Sequence, residues 1–382
     1  MKKILALVLA LAMALALVAC GSGSGSNGGN SAASNPPASS SPADSGEPSG
    51  DSSEPAAPSY PEMKLTVTLN NQEGETAGQL AKYFTEYITE KSGGAITFEV
   101  FYGGTLCSSA EALDFVGTAA VDMTLTGTAE HTATLPLINF PGFVYGSQEE
   151  ALAYANFIAF ENEATASLIA EELAALNITT LGMHAGGSNA YFFKSEQPSL
   201  KAAAQSGLVI GTGMHLACYA QMGFGTAVSM PWDTYSELQT GVFDCTTMAL
   251  GPAVGMSWTE VVPHILINNQ YSFGNWWMIN NDKWNAMDEA TQALFLEAAQ
   301  ASQAKSIELY GSEIKMAEDA VAAANGSLNY MNEEETAWER DLFFAESYAD
   351  CIANAANAGK SAEMKTVLEA VNEYLGLEIP VE

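Results

Sequence analysis

Residues 207–215 read GLVIGTGMH. Leu208-Val209-Ile210 is an apolar, mostly β-branched run of strand type. It stops at Gly211-Thr212-Gly213, and a helix-like stretch follows over 214–223. A strand that opens through glycines into a helix is a unit of α/β folds, and ligands often sit in front of it. A dinucleotide phosphate is the first candidate. Its fingerprint, G-x-G-x-x-G, needs a third glycine, and Leu216 stands in that place. No G-x-x-x-x-G-K-[ST] loop occurs either. Two readings stay open: a plain strand-to-helix turn, or a turn facing some other ligand.

The same alternation extends outward. KLTVTLNN reads as a strand, 76–91 as a helix closed by Gly93-Gly94, and AITFEVFY as a second strand. Ser108 with Glu111, and Ser147 with Glu150, are capping-box patterns. The first opens a short helix and the second a long one reaching about Leu176. Strands ITTLGM, LVIGTG, TAVSMP and VFDCTTMA then alternate with helices over 214–223 and 233–240. From Asp282 the pattern is helical, with helices expected over about 282–323, 332–357 and 361–374. This predicts parallel-rich α/β sheets followed by long helices.

The N-terminus is of another kind. Lys2-Lys3 precede the apolar run ILALVLALAMALALVA, residues 4–19, which is short for a membrane span and suited to a secretory signal. It ends at LVAC, which resembles a bacterial lipoprotein cleavage site. That resemblance implies cleavage before Cys20 and lipidation of its thiol. Residues 21–60 hold 13 Ser, 7 Gly and 6 Pro and read as a disordered tether.

From Pro61 to Glu382 the chain exceeds what one core usually organises, so two lobes are expected. The formal charge is −32, from 13 basic and 45 acidic residues. That excludes binding to a phosphate backbone and so any nucleic-acid partner. Arg340 is the sole arginine. Cys107, Cys218, Cys245 and Cys351 match no C-x-x-C pattern, and their pairing is left open. His131, His184, His215 and His264 are too scattered to read as one metal site. No cofactor is called for.

A family resemblance emerges from the order of the pieces. GGAITFEVFYGGTLCSSAEALDFVGTAAVDM (93–123) resembles a stretch of the DctP-type solute-binding proteins of TRAP transporters. So do LINFPGFVY, SLKAAAQSGLVIGTG, MPWDTYSELQTGVFDC and WWMINNDKWNAMDEATQALFLEAA, in the same order. The resemblance runs from about Leu65 to Ala299. It implies a two-lobed, periplasmic-binding-protein-like fold with a hinge and with long C-terminal helices spanning both lobes. Lobe I would take 61–182 and part of 269–382, and lobe II 183–268. It also implies a small-molecule ligand in the cleft, a TRAP membrane permease as partner, and an exported location. With Cys20 it suggests a protein lipid-anchored to the outer face of the cytoplasmic membrane.

The family's ligand clamp is altered. A guanidinium suits a carboxylate by two parallel hydrogen bonds, and the family's arginine aligns with Gly211. A second family arginine aligns near Ala190, and a family asparagine with Met248. The remaining cations near the cleft, Lys194 and Lys201, read as surface residues. The ligand is therefore expected to be neutral, cationic or largely apolar, with a carboxylate held by backbone N–H groups as the alternative. Gly211, with open backbone N–H groups, would form a small polar floor with Thr212 and Gly213.

Other candidates are Glu73 after the first strand, and Thr126 and Thr128 at the carboxyl end of another, where α/β sheets bind ligands. His184 is placed at a cleft rim. Tyr271 and Phe273 align with cleft-facing aromatics, and Trp276 or Trp277 would face the cleft. Core packing is the competing reading for each aromatic. An enzyme has little support, since no G-x-S-x-G or H-E-x-x-H occurs. A solute-binding protein serving another importer or a sensor kinase is the second functional reading.

Overall fold

The structure is a computed structural model that describes residues 59–381. The signal segment, Cys20 and most of the tether lie outside the described residues. In chain order the first part holds β1 (Met63–Thr68), α1 (Thr76–Lys91), β2 (Ile96–Phe101), α2 (Ser109–Gly117) and β3 (Met123–Thr126). A short β4 (Phe143–Tyr145) leads to α3 (Gln148–Asn156), α4 (Glu163–Ala174) and the 16-residue β5 (Ile178–Phe193). Next come α5 (Leu200–Gln205), β6 (Val209–Thr212), α6 (Leu216–Met222) and β7 (Gly225–Val228). They are followed by α7 (Pro231–Thr240), β8 (Cys245–Ala249), α8 (Leu250–Gly255) and the 17-residue β9 (His264–Asn280). The chain ends in α9 (Asn281–Ala286), α10 (Glu289–Ala323), β10 (Ser327–Tyr330), α11 (Glu333–Asn357) and α12 (Ser361–Leu375).

All ten strands join one sheet in the order β2-β1-β3-β9-β5-β8-β6-β7, with β4 and β10 also on β9. Outer strands pair in parallel: β1 with β2 and β3, β6 with β7 and β8. The two long strands pair antiparallel with each other and run through both halves. Their register slips four times between Thr180 and Ala190. Each slip bends and loosens the ladder locally where β5 and β9 pass from one half to the other.

Each half has its own core. In the first, Leu65, Val67, Phe84 and Phe295 pack with Trp277. In the second, Phe192, Leu238, Phe243 and Trp258 pack with Ile265 and Val321. Thus α10 contributes Phe295 to one core and Val321 to the other, and spans both. A third cluster covers the opposite face with Trp276, Tyr191 and Phe343.

Both capping boxes form. The long helix expected from Ser147 is broken by a π turn over Phe157–Glu161, after which Asn162 caps α4. The helix expected from Asp282 breaks before Glu289, where the Asp288 carboxylate accepts from Thr291 N–H at 2.8 Å. An Asx cap satisfies the free amides of a new helix better than continued apolar spacing would. β10, the short α8 and the full length of β5 are not read from local pattern.

Candidate functional site

β3 and β8 end against the two long strands, Thr126 opposite Trp276 of β9 and Ala249 opposite Asn189 of β5. The residues there are unusual for strands. Asn is poor in β propensity, yet Asn189, Asn268, Gln270 and Asn275 all lie on β5 or β9. Asn189 Nδ2 donates to Gln270 Oε1 at 2.7 Å, and Gln270 Nε2 to the Tyr145 hydroxyl at 3.3 Å. Asn275 Nδ2 donates to Asn71 Oδ1 at 3.3 Å, in the loop after β1. Asn268 Nδ2 donates to Glu339 Oε1 at 3.0 Å, and the Tyr191 hydroxyl donates to the same oxygen. The result is a hydrogen-bonded amide network in the middle of the sheet, with Asn268 and Gln270 buried. These amides were missed in the sequence. Their signal is the triplet Asn-Asn-Gln, present at 70–72 and again at 268–270.

The aligned arginine position is not an open floor. Gly211 is buried and paired on both sides of β6. A Cβ built there would fall 2.4 Å from Phe243 Cε1 and Cζ. Its carbonyl accepts from Thr246 Oγ1 at 2.7 Å. The Phe243 ring occupies the space that a side chain at 211 would need, against the expected polar floor with free N–H groups. Thr212 is half-buried, and its Oγ1 accepts from Met214 N–H at 3.3 Å. Met248 is half-buried against the second core.

The other candidates fall in three settings. Glu73 is exposed, pairs with Lys82 at 2.9 Å and lines an outward groove between α1 and α10. Thr126 is buried beside Trp276 in the ladder, and Thr128 Oγ1 donates to Asn139 Oδ1 at 2.9 Å. Tyr271 is half-buried opposite Ser188. Phe273 packs among Phe140, Tyr154 and Trp276. Trp276 and Trp277 point to opposite faces of the sheet, as their alternation requires, and each ends in a core rather than in the cleft.

His184 is buried, not at a rim. Trp277 Nε1–H donates to its Nε2 at 3.1 Å, so that nitrogen is the unprotonated one, and Ser302 Oγ lies 2.8 Å from it. Burial lowers its pKa from 6.5 to about 3. The buried Glu339 shifts the other way, raised by burial from 4.5 to about 7.

These shifts set opposite limbs of the stability profile. Below pH 6.5 the unfolded chain binds a proton at His184 that the fold refuses until about pH 3, so stability falls as pH drops through that window. At Glu339 the fold holds a proton that the unfolded chain loses above pH 4.5, so stability falls as pH rises from 4.5 to about 7. At roughly 1.4 kcal/mol per unit, either limb is large. Urea midpoints between pH 3.5 and 8 should show His184→Gln flattening the acid limb and Glu339→Gln the neutral limb. Parallel profiles for variant and parent would refute the assignment.

Among the described residues, the basic side chains nearest these strands are already engaged. Lys194 Nζ donates to the Phe243 carbonyl at 3.0 Å, Lys201 pairs with Glu334 at 2.7 Å, and Arg340 pairs with Asp341 at 2.9 Å. At the carboxyl ends of β6 and β7, Met214, Met230 and Trp232 form an exposed apolar lip, with Trp232 74% exposed. The four cysteines of the described residues are buried free thiols, and burial pushes Cys218 and Cys351 up to about 12.

Two half-sheets joined by two long crossing strands make a two-lobed α/β fold. The model of the DctP family, bacterial extracellular solute-binding protein family 7, matches residues 68–345, and the chain belongs to that family. The family consists of binding proteins and not enzymes. Solved structures share the fold at low identity. A TRAP periplasmic solute-binding protein from Ochrobactrum anthropi, with its C-terminus in the ligand pocket, is 18% identical with a TM-score of 0.67. That match covers 83% of this chain and 99% of the other. One from a Sulfitobacter species with bound β-D-galacturonate is 14% identical with a TM-score of 0.61, covering 82% and 100%. A Bordetella pertussis extracytoplasmic solute receptor binding pyroglutamic acid is 13% identical with a TM-score of 0.64, covering 81% and 100%. No curated protein is similar enough in sequence to register as a match.

Proposed function

We propose that this protein captures a small organic molecule in the interlobe cleft and delivers it to a TRAP-type permease, without an arginine clamp. The observation that carries the ligand reading is Gly211 under the Phe243 ring, where a Cβ would meet ring carbons at 2.4 Å. Among the described residues, the cations Lys194, Lys201 and Arg340 are engaged elsewhere. The cleft offers amides instead, which both donate and accept and carry no charge. Such a lining suits a neutral polar or cationic solute better than the uronate and pyroglutamate bound by the relatives. Export and a lipid anchor at Cys20 complete the reading. Loss of palmitate labelling in Cys20→Ser is the expected sign of the anchor, and unchanged labelling would remove it.

The ligand class is tested by mass spectrometry of the molecule carried through native purification, beside a thermal-shift screen. Neutral and cationic compounds are expected to supply the hits. A ligand at a hundred times its Kd stabilises by about 2.7 kcal/mol, which such a screen resolves. C4-dicarboxylates, glucuronate and pyroglutamate should give no shift. Tight binding of any of these acids would overturn the reading in favour of a carboxylate held by backbone N–H groups.

A further inference from the structure

One charged side chain stands between the two halves. Glu313, on α10, is 5% exposed. Its Oε1 accepts from Thr76 Oγ1 at 3.1 Å, and its Oε2 accepts from Gly251 N–H at 3.1 Å. Thr76 opens α1, whose Phe84 belongs to the first core. Gly251 lies in α8, whose Leu250 and Ala253 belong to the second. Ala317 and Val321, further along α10, also belong to the second core. At Glu313, therefore, α10 rides with the second half, and the Thr76 bond crosses the divide.

Space has been kept for this carboxylate. A Cβ on Gly251 would fall 2.2 Å from Glu313 Cδ and Oε1, and one on Gly187 would fall 2.9 Å from Oε2. It is held by a hydroxyl and an amide rather than by a lysine or arginine. Burying an acid without a cation is costly, and core packing alone gives no reason to keep one there.

We propose that Glu313 is the interlobe latch, holding the halves together by placing the chain's own carboxylate in an anion position between them. Opening the lobes breaks the Thr76–Glu313 bond while Gly251–Glu313 stays within the second half. An external anion is not needed for closure. The latch does not depend on which solute the cleft takes.

Hydrogen exchange of the full-length protein, read by mass spectrometry, tests this. In Glu313→Ala, peptides over 74–80 and 250–255 should exchange roughly tenfold faster, the scale of one lost charged hydrogen bond. Thr76→Val, a change in the first half, should by itself speed exchange over 250–255 in the second. Sodium formate should slow exchange in Glu313→Ala, whereas sodium chloride at equal ionic strength should not, and the parent should respond to neither. If Thr76→Val leaves 250–255 unchanged, Glu313 caps α8 locally and the latch fails. If formate acts no better than chloride, the anion position fails. Should Glu313→Ala not fold, Glu313→Gln and Thr76→Val carry the first comparison, and formate on Glu313→Gly the second.

Discussion

Gly211→Ala is expected to destabilise the protein by about 2–3 kcal/mol, the upper range for overpacking a filled core. Gly211→Arg should cost more, because it also buries a charge. The methyl group would lie inside the Phe243 ring, and that ring is 1% exposed with no free path aside. Phe243→Val costs roughly 2–3 kcal/mol alone by leaving a cavity. In the double variant Gly211→Ala/Phe243→Val the two losses should not add. A coupling energy of roughly 1–3 kcal/mol is expected for residues that compete for one volume. Urea unfolding of the four-member cycle measures it, and strict additivity would show that the ring does not hold this position. Gly211→Arg/Phe243→Val then becomes the chain in which a response to dicarboxylates is expected to emerge.

Trp277→Ala should be the costliest single truncation, at roughly 3–5 kcal/mol. The indole is fully buried and stacks on Phe84 with centroids 4.1 Å apart. It also supplies the N–H that fixes the His184 ring. Trp277→Phe retains most of the stacking and removes only that donor, so about 1–2 kcal/mol is expected. Unfolding midpoints for the two variants separate packing from hydrogen bonding. Equal losses would mean that the bond to His184 carries the site and the stacking does not.

Much of the outer fold was legible. Leu65 and Val67, Ile96 and Phe98, and the capping pairs Ser108–Glu111 and Ser147–Glu150 are local signals with local causes. The middle of the sheet was not. HAGGSNAYFF at 184–193 gives no local strand signal at its start, because Gly, Ser and Asn are poor strand formers. It is a strand because β9, about eighty residues later, pairs with it across four register slips. His184 was misplaced for the same reason. Its partners Ser302 and Trp277 lie 118 and 93 residues away. At Gly211 the sequence shows a residue without a side chain, but the ring that fills the space beside it comes from position 243. What local pattern cannot carry is which distant residue fills a space.

The two crossing strands also decide the order in which the molecule can be made. Thr126 of β3 pairs with Trp276 of β9, a separation of 276 − 126 = 150 residues. The first half contains the earliest strands, yet its sheet stays unfinished until nearly three quarters of the chain exists. Until then β3 presents an open edge, which invites wrong pairing. Such distant closure is slow. The lobes are separate in space but inseparable in assembly, and a chain cut anywhere before Ile279 forfeits both rather than sparing one.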